Sequence, residues 1–138
     1  MRKALLLTTS GSASSALPAL NLAGQVRRLA SVLADPETCD FEVNVLLDPT
    51  ASEATRVVEQ TFTEAALGDL ILFYFAGHGL KDQRGQLHFA LRDTEPALLQ
   101  STALPASFVR DQMAGSRARK VVVLLDCSYS GAFAKGPM

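Results

Sequence analysis

Leu70-Ile71-Leu72-Phe73-Tyr74-Phe75-Ala76-Gly77-His78-Gly79 decides how this chain is read. An unbroken apolar and aromatic run opening after Gly68-Asp69 is the pattern of a strand covered on both faces, over residues 70–75. The glycines around His78 let the backbone turn sharply and approach a ligand closely. An imidazole in that setting suits general acid–base work because it titrates near neutrality. A histidine on an apolar strand can also be a satisfied core residue.

Working outward, the order is strand and helix in alternation. Residues 3–8 form a short apolar strand, and the small polar stretch 9–15 is the loop at its end. Residues 20–33 put Leu22, Val26, Leu29, Ala30 and Leu33 on one helical face, with Arg27 and Arg28 outward. Pro36 breaks that helix. Residues 41–47 read as a strand, and Ser52 as the N-cap of a helix to about residue 66. Residues 85–91 read as a small hairpin arm, with His88 on it as a structural or surface residue. Pro105 opens a helix to about residue 113. Val121-Val122-Val123-Leu124-Leu125 is the last strand. This order predicts an α/β fold with a mainly parallel sheet and helices on both faces. The last strand has five consecutive branched apolar residues, which suits pairing on both edges. A bare edge of that kind invites aggregation. Its completing strands are expected from outside this stretch: a second chain, a cleaved continuation or another molecule. The alternative is a tolerated edge under a loop.

The chain has 138 residues and 48% hydrophobic residues, enough for one domain with a real core. Thirteen basic and 14 acidic side chains give a net charge of -1, which argues against capture of nucleic acid or an anionic membrane. No run approaches the roughly 18 apolar residues of a membrane span. Met1-Arg2-Lys3 before Ala4-Leu5-Leu6-Leu7 imitates a signal peptide but is too short and fits a first strand. Cys39 and Cys127 make no disulfide framework, so the expected compartment is the reducing cytoplasm. No metal-ligand cluster and no phosphate-binding glycine loop stands out.

Asp126-Cys127-Ser128-Tyr129-Ser130-Gly131 follows the last strand, with position 128 fifty residues past His78. A histidine and a nucleophile-sized side chain at neighbouring strand ends are the layout of a hydrolase dyad. Together these two stretches resemble the caspase-like cysteine peptidases (peptidase family C14), especially the metacaspase-type and bacterial members. The histidine spacing matches the known caspase signature. The resemblance spans nearly the whole chain and implies a caspase-like three-layer sandwich, with residues 1–138 as the large-subunit part of a catalytic domain whose small subunit is absent here. It implies His78 as base and acid, position 128 as the nucleophile, and Gly79 as an oxyanion-hole glycine. Asp126 would line the pocket for a substrate Arg or Lys, with Asp93 as a further acid considered. Lys135 would lie in a processing linker. The partners implied are a polypeptide with Arg or Lys before the scissile bond and a small-subunit chain or continuation. No metal or organic cofactor is needed. Bacterial relatives serve in cell death and antiviral defence.

The departure is Ser128, which stands where the family has its cysteine. Cys127 is one place early, and a one-residue shift at a strand end turns the side chain elsewhere. Ser128 is read as an inactivating cysteine-to-serine change in an endopeptidase. The alternatives are a natural pseudoprotease that binds peptides or partners, and a working serine nucleophile. The last is disfavoured because a hydroxyl needs a better-oriented base than a thiol, and no third triad member is evident.

Overall fold

A computed structural model describes residues 1–10 and 20–134. In chain order, β1 (Arg2–Thr8) leads through α1 (Ala23–Ala34) to β2 (Glu42–Leu47), and α2 (Ala51–Thr63) leads to β3 (Leu70–Ala76). Short elements follow: β4 (Gly79–Lys81), β5 (Leu87–Phe89), α3 (Leu99–Thr102) and β6 (Leu104–Pro105). Then α4 (Ala106–Ala114) feeds β7 (Lys120–Asp126). The strands β2-β1-β3-β7 form one sheet in that order, every pair parallel.

Strand periodicity divides the sheet residues between two cores. Leu5, Leu7, Ile71, Phe73 and Phe75 face α2 and α4, where Val58, Phe62 and Val109 meet them. Ala4, Leu6, Leu72 and Ala76 face α1, where Val26 and Leu33 close the other side. The result is helix on sheet on helix, the three-layer arrangement expected.

Three details differ from the sequence expectation. The second helix is capped by Thr50, not Ser52: the Thr50 backbone is extended and its side chain accepts from the Glu53 N–H at 3.1 Å. Pro105 is the residue before α4 and not part of its first turn, because its extended backbone also pairs with His88 at the edge of β5. The arm at 85–91 is one strand of a second sheet, β4-β5-β6, whose hairpin begins at Gly79. Asp82 closes that turn by accepting from the N–H groups of Arg84 and Gln86, with Gly85 at φ 78°.

Among the described residues β7 is an edge strand with one face half-covered. Val121, Val123 and Leu125 pack on the α2–α4 core, while Val122 and Leu124 on the opposite face are 42% and 46% exposed.

Candidate active site

The register of the central strands brings the two ends together. Phe73 pairs with Val123 and Ala76 with Asp126, so His78 and Ser128 each lie two residues beyond matched partners. Parallel neighbours run about 4.8 Å apart. The Gly77 N–H continues the ladder by donating to the Asp126 carbonyl at 3.2 Å.

Gly79 shows how close the two loops come. A methyl group added there would overlap the Ser128 carbonyl oxygen and crowd Leu87. Only glycine lets these backbones touch. The His78 carbonyl accepts from the Ala90 N–H at 2.9 Å, and the Ala90 carbonyl accepts from the Thr9 hydroxyl at 3.1 Å. The histidine's backbone is therefore pinned to β5's exit, which is pinned in turn to the end of β1. His78 itself is half-buried and Ser128 is exposed.

Asp126 and Cys127 point to opposite sides. Asp126 is exposed on the α1 side of the sheet. It stands near Tyr74, whose phenol is pushed up by burial and, second, by the Asp126 charge. Cys127 packs against the α2–α4 core. Burial first, and then Asp126, push its thiol up to about 11. A thiol held there stays protonated at neutral pH and makes a poor nucleophile.

Asp93 is occupied elsewhere: its Oδ1 accepts from the Ala51 N–H at 2.8 Å, at the start of α2. His88 is 2% exposed, with Nε2 3.1 Å from Asp82 Oδ2, a structural role as expected. Lys135 and loop residues 11–15 lie outside the described residues. Two neighbours of the site were not anticipated. Tyr129 is left-handed, at φ 61°, and the Lys81 ammonium sits 4.8 Å from its ring centroid. Tyr74 adjoins Asp126 because both lie on one face, two residues apart in the common register. Lys81 lies on a three-residue strand, which leaves almost no periodic signal in a sequence, and the meeting of Tyr74 with Asp126 depends on strand register.

Among the described residues no group of three or more His, Cys, Asp and Glu is placed to hold a metal ion. No helix among them is long and apolar enough to cross a membrane. No curated protein matches the chain. One family model does, over residues 5–137, and its description is the caspase domain of peptidase family C14. With the parallel sheet, its flanking helices and a match over nearly the whole length, this chain belongs to the caspase domain family of cysteine peptidases.

Proposed function

We propose that this chain is the large-subunit portion of a caspase-like endopeptidase that cleaves after Arg or Lys, and that Ser128 holds it inactive. The observation that carries the reading is the contact of Gly79 with the Ser128 backbone, at the ends of strands paired in register. The backbones of the histidine-bearing loop and of position 128 touch there, which supports a shared site.

With cysteine at position 128, the His78 imidazole takes the thiol proton and the thiolate attacks the scissile carbonyl carbon. The N–H groups of Gly79 and residue 128 stabilise the resulting oxyanion. Collapse breaks the C–N bond, and His78 returns the proton to the leaving amine. Water, deprotonated by the same imidazole, then hydrolyses the thioester. Serine at position 128 stops this at the first step, since its hydroxyl does not ionise beside an imidazole as a thiol does. Cys127 does not substitute, given its packing and raised thiol.

Asp126 is the acid for a basic guest, through charge-assisted hydrogen bonds to guanidinium or ammonium. Its exposure at a strand end favours this role over Asp93, whose carboxylate already caps Ala51. The half-bare β7 supports a small-subunit strand as the neighbour, from another chain or a continuation cut near Lys135. Two free cysteines fit a cytoplasmic setting, and the resemblance fits a bacterial cell-death or antiviral role.

Ser128 is also the feature that favours a pseudoprotease holding peptides without cutting them. One experiment separates the two. Ser128→Cys in the full protein, assayed on fluorogenic Arg, Lys and Asp peptides, should raise turnover after Arg and Lys by orders of magnitude over the serine form. A Ser128→Cys variant that folds but stays inert would establish the binding module. Cleavage after Asp alone would remove Asp126 from its role.

A further inference from the structure

Lys81 is the third residue after His78 and the last of β4. Its ammonium lies over Tyr129, the residue immediately after the nucleophile position, 4.8 Å from the ring centroid. Both side chains are exposed, Tyr129 by 55%. A bulky residue at φ 61° is strained, so the surroundings hold Tyr129 in place. Its carbonyl accepts from the Ala132 N–H at 2.9 Å, which ties it to the following turn.

The nearest acid in sequence does not neutralise this cation. Asp82 Oδ1 accepts from the Arg84 and Gln86 N–H groups, at 2.8 and 2.9 Å, and Oδ2 lies 3.1 Å from His88 Nε2. Among the described residues, no carboxylate forms an ion pair with Lys81. The hairpin adds a second cation, Arg84.

We infer that Lys81, held over Tyr129, is a specificity-determining residue that selects an acidic side chain in the peptide just after the scissile bond. The inference rests on position 128 being the point of attack. Along the chain Asp126 lies two residues before that position and Tyr129 one after it, all three exposed, so position 128 is flanked by an acid and by the ring that carries the cation. A peptide whose basic side chain reaches back to Asp126 leads its leaving-group side toward Tyr129 and Lys81. The ring covers one side of the ammonium and limits its rotamers, and the remaining N–H groups are open to a carboxylate. The same field opposes a peptide basic on both sides of the bond.

The test uses the full protein with Ser128 retained, so that bound peptides are not turned over. Fluorescence anisotropy compares labelled peptides that share one Arg and differ only in the next two residues: Glu-Glu, Ala-Ala or Lys-Lys. Glu-Glu should bind roughly three- to tenfold tighter than Lys-Lys, less so as salt rises. Lys81→Gln should level the series and Lys81→Glu should reverse it. Equal affinities in the native protein, or an unchanged preference in Lys81→Gln, would overturn the inference. The glutamine variant keeps the chain length and guards against misfolding of the glutamate one. A parallel series with Arg replaced by Asp separates this from the reading of Asp126. Loss of Arg dependence removes the basic pocket, while the Glu-to-Lys comparison still reports on Lys81. If none of the peptides binds, both readings fall.

Discussion

β3 and β7 are neighbours with nearly the same kind of sequence and different surroundings. Leu70–Ala76 is buried along almost its whole length, between helices on both faces and strands on both edges. Lys120–Asp126 alternates exposed with half-buried, packed on the α2–α4 side and open on the other. An apolar run thus states the environment a strand is made for, not the one a given chain supplies. The difference also arranges the site. The buried strand leads into the glycine-flanked histidine, whose backbone is tied to Ala90, and the edge strand ends at Asp126 and position 128, both exposed.

Register partners make the contrast measurable. Phe73 is fully buried, tilted against Phe89 with ring centroids 6.0 Å apart, and pairs with Val123 on β7. Phe73→Ala should cost about 3–5 kcal/mol of unfolding free energy, through lost transfer energy and a cavity. Val123→Ala, a smaller truncation at a half-buried site, should cost about 1 kcal/mol. Urea unfolding of both variants checks this. Equal losses would mean that β7 is buried as β3 is, and the contrast would be void.

The two strands share an anchor at their starts. The Asp69 carbonyl accepts from the Arg119 N–H at 2.7 Å, just before β7. Its carboxylate accepts from the Ala66 N–H and binds the Met1 amino group, with Lys3 nearby. Those contacts, the Ala66 bond foremost, hold the Asp69 carboxyl below the usual carboxylate range against an opposing effect of burial. A depressed folded value stabilises the protein above the unfolded pKa, near 3.9. That contribution is lost as pH falls through the folded value. Melting temperature should be flat from neutral pH to about 5 and then fall, with a shallower acid limb in Asp69→Asn. An identical acid limb in the variant would place the acid sensitivity elsewhere.

Much of this was legible in the chain, and the gaps have physical causes. β1 and β3 stand out because strands covered on both faces read as unbroken apolar runs, and β7 carries the same kind of run with one face open. α1 stands out because Val26, Leu29 and Leu33 repeat at helical spacing. The sequence puts the cap of α2 two residues late, at Ser52, because its hydroxyl suits capping as that of Thr50 does. The choice is made by the extended backbone at Thr50, and Asp93 adds an acceptor from 42 residues away. β4 and β6, built on Gly79, Lys81 and Pro105, are too short for any period and exist through their pairing with β5. In the site, His78 and position 128 carry local signals. Lys81 over Tyr129 and Tyr74 beside Asp126 do not, since each depends on the register that sets Ala76 opposite Asp126.

The smallest expected effect tests the open face of β7. Leu124 pairs with Tyr74 and is 46% exposed, so Leu124→Ser in this 138-residue chain should change unfolding free energy by no more than about 0.5 kcal/mol. Solubility should improve, because an exposed apolar edge is removed. If a small-subunit strand and its helix cover β7 in the full protein, the same substitution there removes a buried side chain and should cost about 2 kcal/mol or more. Chemical denaturation of the pair, chain and full protein, reads the difference directly. A large loss in the isolated chain would mean that residues of the chain itself cover this face. A negligible loss in both would leave β7 a tolerated edge, and the small subunit would have to dock elsewhere.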